Sequence, residues 1–220
     1  MSKKTITDPN NEWDLQLASN LHRYAQAVRD HAASFNFEWD IRAVDWPQLN
    51  QDSVVVEVGG YTGRWSLQIA DRYKSNMIIF EPQVWCCVVM EEVFEEYKAK
   101  IYPFGLAMKD SEEQVTEFGT DGCTVVPRSY ITGLTRALVF KEIHGVFYSE
   151  GLKHIDMMMI NIEGGEFTLI PHMLKVGILP EILMVQFHGP EKMLETRKDM
   201  NKYYIPIWDY SEALSAWKLK

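Results

Sequence analysis

The sequence predicts an α/β fold in which a mostly parallel sheet carries helices on both faces. Two apolar runs, 54–58 and 77–80, are typical of buried strands, and an amphipathic segment separates them. The same alternation returns further along the chain, where apolar runs at 155–160 and 181–188 flank another helical segment. Strands that alternate with helices predict right-handed crossovers and parallel pairing.

The elements follow in a regular order. Residues 13–35 carry apolar side chains at helical spacing, which predicts a leading helix packed on the core. The Gly-, Thr- and Ser-rich stretch 119–135 predicts a mobile loop, and Pro171 predicts a break in the helix that holds it. The remaining predicted strands are 100–107 and 114–118, and the remaining predicted helices are 64–73, 84–98 and 167–176.

Composition excludes several classes of protein. The 220 residues, 46% of them hydrophobic, suit one well-cored domain, and the net charge of −9 argues against binding nucleic acid. The three cysteines lack the spacing of disulfides or of a zinc site, so we expect them to be buried. With no signal-peptide pattern and no membrane-length apolar run, we expect a soluble, cytoplasmic protein without a membrane partner, and a homodimer is compatible with the sequence.

A glycine-rich turn follows the first strand. Glu57 is followed by glycines at 59, 60 and 63, and Arg64 begins a helix whose N-terminus faces the turn. The dinucleotide fingerprint requires G-x-G-x-x-G, so this spacing disfavours an NAD or nucleotide-sugar enzyme. An acid-x-Gly-x-x-x-Gly turn suits a ligand with an amino acid tail and a ribose, which is the shape of S-adenosylmethionine.

A second acid, Glu81, ends the second strand directly before Pro82. In doubly wound sheets, an acid at this place can accept both hydrogen bonds of a ribose diol. Either Glu57 or Glu81 alone could be a solvated acid at a strand end. Two acids one helix apart, each at a strand end, favour a ligand site.

Polar residues also follow the later strands. Asn161, Glu163 and Glu166 flank a glycine pair, and His188 ends the next strand. Because ligands of open α/β sheets bind beyond the carboxyl ends of the strands, we expect all four at the edge that carries the earlier acids. His188 could take a proton from a substrate hydroxyl. The alternatives are glutamates that only stabilise a helix start and a histidine bonded to a loop carbonyl.

Together these motifs resemble the FkbM family of S-adenosylmethionine-dependent methyltransferases. The resemblance spans roughly residues 54–190 and rests on the segments 57–63, 80–82, 155–166 and 186–188. It implies a class I methyltransferase (Rossmann-like) fold, whose seven-stranded, mostly parallel sheet has one antiparallel strand. Residues 202–209 and 213–219 would supply the last two strands. An N-terminal helical extension, 1–50, would pack on an S-adenosylmethionine-binding domain, 51–220.

The resemblance also implies roles for individual residues. Asn161, Glu163 and His188 would be the catalytic residues that face the transferred methyl group and its acceptor, with Asn161 also touching the cofactor. The predicted cofactor site comprises Glu57, Gly59, Gly60, Tyr61 and Gly63 around the methionine tail, Glu81 and Pro82 at the ribose, and Leu106 and Ala107 beside the adenine.

Three residues depart from the family pattern. Glu57 stands where the family usually has Asp, Met159 replaces the usual Lys, and Asn161 replaces the usual Asp. Asparagine keeps an acceptor oxygen and loses the negative charge, which weakens any role as a base or metal ligand. The expected activity is O-methylation of a hydroxyl on a sugar, glycan or other small molecule. The alternative is a non-catalytic S-adenosylmethionine-binding or scaffold protein, and no ligand spacing requires a metal.

Overall fold

The computed structural model describes residues 12–33, 45–118, 122–125, 134–210 and 213–220. Helices and strands alternate along most of this chain. The helices are α1 (Glu12–Ala33), α2 (Arg64–Tyr73), α3 (Val84–Val93), α4 (Ile143–Ser149), α5 (Glu166–Lys175) and α6 (Pro190–Met200). The strands are β1 (Val54–Val58), β2 (Asn76–Phe80), β3 (Ala99–Tyr102), β4 (Gly105–Ala107), β5 (Ser111–Phe118), β6 (Leu134–Glu142), β7 (Met157–Ile160), β8 (Ile182–Gln186), β9 (Tyr204–Tyr210) and β10 (Leu214–Leu219).

Seven strands form the central sheet in the order β3-β2-β1-β7-β8-β10-β9. Neighbouring strands from β3 to β8 run parallel, whereas β10 is antiparallel to both β8 and β9. This is the class I methyltransferase (Rossmann-like) fold, and the predicted fold class is confirmed. The reversal of strand order between β1 and β7 places a crevice at their carboxyl ends, where open α/β sheets bind ligands.

The sheet has an apolar layer on each face. Val55 of β1 packs in the layer that α1, α2 and α3 cover, whereas Val56 and Val58 pack in the layer with α4, α5 and α6. The leading helix is confirmed as α1, whose Ala25 and Val28 are buried in the first of these layers. The division into residues 1–50 and 51–220 stays a prediction.

A second, three-stranded sheet has the order β4-β6-β5. The single strand predicted at 100–107 is wrong, because Pro103 and Phe104 separate β3 in the large sheet from β4 in the small one. The strand predicted at 114–118 begins earlier, at Ser111, and β6 runs antiparallel to it. Of the predicted mobile loop, 119–121 and 126–133 lie outside the described residues, while Thr124 pairs with Thr116.

Pro171 and Pro190 both lie within helices. Helix α5 does not break at Pro171 but continues through it. Proline at this position removes only the hydrogen bond to the carbonyl of residue 167, and the later turns close normally, with the N–H of Val176 bonded to the carbonyl of His172. Pro190 begins α6 as its first residue, a helix-start position that suits proline because no hydrogen bond is required of its nitrogen there.

Strand β9 forms one edge of the large sheet in the described part of the chain. Ile205 and Ile207 are each about half exposed there, on either side of Pro206. The carbonyl of Tyr203 accepts a hydrogen bond from the N–H of Lys220, on the β10 side. Because backbone groups alternate along a strand, the nitrogen of Pro206 faces the outer side.

Among the described helices, none has the length and apolar character needed to cross a membrane.

Candidate functional site

A cavity of about 240 Å³ lies at the carboxyl ends of β1, β2 and β7. The large sheet and its turns form one wall, and the small sheet forms the opposite wall. Of the predicted site residues, those that line the cavity are Gly59, Tyr61, Glu81, Pro82, Leu106, Ala107, Asn161 and Glu163. The topology therefore brings together residues from the three turns after β1, β2 and β7 and from strand β4.

The turn after β1 is packed directly against the turn after β7. Gly59 has φ +86°, and a Cβ at this position would lie 2.0 Å from the carbonyl oxygen of Asn161. Only glycine fits such a contact in the left-handed region. Tyr61 also has a positive φ, +46°, and its ring packs edge-on against Trp85. Both turns are thus held in one defined arrangement at the cavity wall.

Glu57, Gly60 and Gly63 lie behind the turn rather than on the cavity wall. Glu57 shares the α1–α3 face of β1 with Val55, and its buried carboxylate accepts a hydrogen bond from the hydroxyl of Ser66 at 2.5 Å. Gly63 has φ +81° and precedes α2 directly. These residues fix the start of α2 and the shape of the turn, a supporting position that differs from the direct contact predicted.

Glu81 is buried in the cavity wall at the end of β2. The N–H groups of Tyr61 and Gln83 each donate to one of its carboxylate oxygens, both at 2.8 Å. Burial raises the pKa of Glu81 to about 7, although these two hydrogen bonds favour the charged form. The Gln83 side chain also hydrogen-bonds to this carboxylate, and the carboxylate retains room to accept a ribose hydroxyl.

The small sheet gives the cavity an apolar slot. Leu106 and Ala107 of β4 line it, and Phe140 of β6 lies beside them. Leu169 of α5 contributes from the large-sheet side. A flat, largely apolar ring fits between such walls. Phe140 was missed in the sequence because no strand was predicted in the segment that forms most of β6.

The turn after β7 carries Asn161 and Glu163. Glu163 has φ +52°, and its backbone carbonyl accepts a hydrogen bond from the hydroxyl of Thr124 at 2.7 Å. Non-glycine residues in this region cost about 1–3 kcal/mol and concentrate at functional sites. Met159, in contrast, is buried in the apolar layer under α1, α2 and α3. Of the two unusual residues in this motif, only Asn161 lines the cavity.

His188 lies behind Glu163 and does not itself line the cavity. Its Nε2 is 3.0 Å from the carboxylate of Glu163, and its Nδ1 is 3.4 Å from that of Glu166, an ion-pair contact rather than a well-formed hydrogen bond. Burial disfavours the charged ring, but the two carboxylates outweigh burial and raise the pKa of His188 to about 9. The ring is therefore protonated at neutral pH, in contrast to the base expected from its position.

Glu166 is the residue whose importance the sequence understated. It is completely buried, although it begins α5 where a glutamate could have been solvated. Its carboxylate accepts hydrogen bonds from the N–H of Gly164 at 2.9 Å and from the N–H of His188 at 2.6 Å. The only sequence signal was its place as the last acid of the motif, and its partner His188, in the turn after β8, lies 22 residues away.

The cysteines divide into two groups. Cys86 and Cys87 are buried in α3, as expected, whereas Cys123 is half-buried and lines the cavity. Burial raises the pKa of Cys123 to about 12, and the nearby Glu81 and Glu163 act in the same direction. The thiol is therefore neutral at physiological pH and presents a small apolar surface to the cavity.

No family model matches the chain, and no curated protein matches it. Solved structures with a similar arrangement include the SAH-bound Podospora anserina methyltransferase PaMTH1, with 11% identity, full coverage of both chains and a TM-score of 0.48. A precorrin-6y C5,15-methyltransferase from Geobacter metallireducens has 8% identity, coverage of 100% of this chain and 93% of its own, and a TM-score of 0.45. A fibrillarin/Nop5p complex has 14% identity, coverage of 78% and 73%, and a TM-score of 0.47. The strand order and its single antiparallel strand, rather than these distant likenesses, establish the fold.

Proposed function

We propose that the protein is an S-adenosylmethionine-dependent methyltransferase that methylates a hydroxyl on a sugar, glycan or other small molecule. The observation that carries the proposal is the cavity at the carboxyl ends of β1, β2 and β7, with the carboxylate of Glu81 buried in its wall. A buried acid at the end of the second strand, with room for a further donor, suits a ribose hydroxyl, and the adjacent slot suits an adenine ring. The sequence resemblance to the FkbM family supports the same cofactor.

The cavity residues divide into four groups on this proposal. Gly59 and Tyr61 border the methionine tail, with Glu57, Gly60 and Gly63 shaping the turn behind them. Glu81 and Pro82 hold the ribose. Leu106 and Ala107 flank the adenine, while Asn161 and Glu163 face the acceptor.

Positioning would supply most of the rate. When bound, the cofactor supplies a methyl group that is already electrophilic, so the chain chiefly has to align the acceptor oxygen with it. Well-oriented reactants gain roughly 7–11 kcal/mol, whereas a general base contributes about 10²- to 10⁴-fold in rate. Glu163 lines the cavity and can accept the hydroxyl proton, whereas His188 is already protonated.

A non-catalytic binding or scaffold protein is the second candidate. The observation that favours it is Asn161, which lines the cavity without the negative charge that the FkbM pattern has there. Met159 gives it no support, since that side chain is buried in the core away from the cavity. Measurable methyl transfer to any acceptor would eliminate this candidate.

The proposal is tested first by calorimetric titration with S-adenosylmethionine and S-adenosylhomocysteine. We expect Glu81→Ala to weaken binding by at least about 10-fold, since a hydrogen bond to a charged group is worth roughly 1.5–3 kcal/mol. Glu142→Ala is the matched control, because Glu142 also accepts two backbone hydrogen bonds, from His144 and Gly145, but lies outside the cavity lining. No binding by folded wild-type protein would contradict the proposed cofactor.

Acceptor screening follows binding. Transfer of a radiolabelled methyl group to a panel of sugars and simple glycosides tests the proposed hydroxyl acceptor, and matched amino sugars report on nitrogen acceptors. The net charge of −9 favours a small or carbohydrate acceptor over nucleic acid. Transfer to RNA in the same assay would contradict that part of the proposal. A cytoplasmic location and a homodimer remain predictions.

A further inference from the structure

The buried carboxylate of Glu166 joins the turns that follow β7 and β8. One oxygen accepts the N–H of Gly164, beside Glu163, and the other accepts the N–H of His188. The side chain is completely buried and does not line the cavity. Glu166 therefore cannot touch a ligand there, but it fixes the relative position of two turns whose side chains meet at the cavity.

The ring of His188 lies between two carboxylates. Nε2 contacts Glu163 at 3.0 Å, on the cavity side, and Nδ1 faces Glu166 at 3.4 Å. The backbone of Glu163 is also restrained, since its carbonyl accepts the hydroxyl hydrogen of Thr124. Ring and backbone contacts together give the Glu163 carboxylate one orientation.

We propose that Glu166 is a positioning residue, which fixes the ring of His188 and through it the carboxylate of Glu163 at the cavity wall. This inference rests on the proposed methyl transfer. In that reaction the acceptor hydroxyl loses its proton to Glu163 as its oxygen forms the bond to the methyl carbon. The carbon–sulfur bond breaks, its electron pair stays on sulfur, and the sulfonium becomes the neutral thioether of S-adenosylhomocysteine.

The charges around His188 explain why two carboxylates are needed. With both Glu163 and Glu166 facing it, the ring keeps its proton, so it donates to Glu163 and cannot compete for the acceptor's proton. The side-chain amide of Gln186 also lies near the ring, with its nitrogen 3.4 Å from Nε2. A neutral amide cannot supply the negative charge that Glu166 places beside Nδ1.

The direct test is an NMR pH titration of the His188 ring without any ligand. We expect its midpoint near pH 9 in the wild type and at least one unit lower in Glu166→Gln, a tenfold loss of proton affinity, because one facing carboxylate becomes neutral. Glu142→Gln is the matched control: Glu142 pairs with His172 at 2.7 Å, outside the cavity lining. That variant should leave the His188 midpoint unchanged.

Kinetics separate positioning from general structural support. Glu166→Gln should lower kcat about 10- to 100-fold and leave the Kd for S-adenosylhomocysteine within about twofold, because misplacement of a reacting group affects the chemical step. The alkaline limb of its pH–rate profile should move to lower pH together with the His188 midpoint. Glu166→Asp, which keeps the charge, should restore most of the limb's position.

The inference is overturned by a wild-type His188 midpoint near the ordinary value of about 6.5, or by one that Glu166→Gln leaves unmoved. If Glu166→Gln does not fold, the His188 midpoints of the wild type and of Glu163→Gln test the inference instead. The midpoint in Glu163→Gln should also be lower than in the wild type. A wild type that fails to bind S-adenosylhomocysteine contradicts the proposed function. An unshifted His188 in a protein that does bind it contradicts only the role of Glu166.

Discussion

Glu81 shows how burial sets the chemistry of one side chain. Its pKa is raised to about 7, so the carboxylate is half protonated at neutral pH before a ligand binds. The charged form is the stronger hydrogen-bond acceptor for ribose hydroxyls. We therefore expect the Kd for S-adenosylhomocysteine to rise as the pH falls below about 7, by up to tenfold per unit.

Calorimetry between about pH 5.5 and pH 8.5 checks this dependence. Glu81→Gln serves as the control, since it cannot titrate and should bind weakly at every pH. A wild-type affinity that is the same at both ends of the range would contradict a role for the Glu81 carboxylate in binding.

The same pKa shift predicts a stability effect in the free protein. A carboxyl whose folded-state pKa lies above its unfolded value contributes stability that is complete below about pH 4.5 and is lost as the pH rises through 7. The raised pKa corresponds to about 3 kcal/mol. Urea unfolding of the wild type should therefore show a decline across this window that Glu81→Gln lacks, and parallel curves for the two proteins would contradict the shift.

Sequence reasoning placed Glu81 correctly because a strand end is a local feature. The protonation of His188 could not be predicted in this way, because it depends on Glu163 and Glu166, which follow a different strand. Strand alternation does predict that the Glu57 side chain points into the core, because Glu57 lies on the same face of β1 as the buried Val55. Its position at a strand end instead suggested direct contact with the ligand.

At the scale of elements, the glycine turn after β1 is the most demanding piece of backbone. We expect Gly59→Ala to destabilise the protein by more than about 3 kcal/mol, because a Cβ adds a clash with the Asn161 carbonyl to the strain of positive φ. Gly177→Ala is the control: its φ is +79° but a Cβ there meets open space, so it should cost only about 1 kcal/mol.

Chemical denaturation measures both variants under one set of conditions. Equal losses for Gly59→Ala and Gly177→Ala would show that the contact between the two turns contributes nothing beyond backbone strain. A Gly59→Ala protein that stays folded should also bind S-adenosylhomocysteine more weakly than wild type, because the turn would have to move.

Elements with strong local signals were predicted, and those defined by distant pairing were not. The apolar runs of β1 and β2 need no partner to be recognised. The small sheet does, since β4 has only three residues and its neighbour β6 begins 27 residues after β4 ends. The signal of Pro171 was ambiguous, because a proline at that place fits both a position inside a helix and a helix break.

At the scale of the whole molecule, the layer under α1 is separate from the cavity edge. Val28 of α1 is buried against α2 and α3, whereas the cavity lies at the strand ends. We expect Val28→Ala to lower the free energy of unfolding by about 2 kcal/mol and to leave the Kd for S-adenosylhomocysteine within about twofold.

Val84→Ala is the matched control, because Val84 also lies in a helix but is half exposed, and it should cost less than about 0.5 kcal/mol. Calorimetric binding and urea unfolding of the same samples give both quantities. A large loss of affinity in folded Val28→Ala would show that α1 contributes to the ligand site through the core.

Pro206 has a consequence for how copies of this protein behave at high concentration. The outer edge of the sheet exposes Ile205 and Ile207, and a flat aliphatic edge is a template on which another chain can add a strand and begin aggregation. Proline offers no N–H on that outer side, so a strand added there would lack a donor at its centre. We therefore expect this edge of the sheet to pair poorly with a strand from another copy, although it exposes two isoleucines.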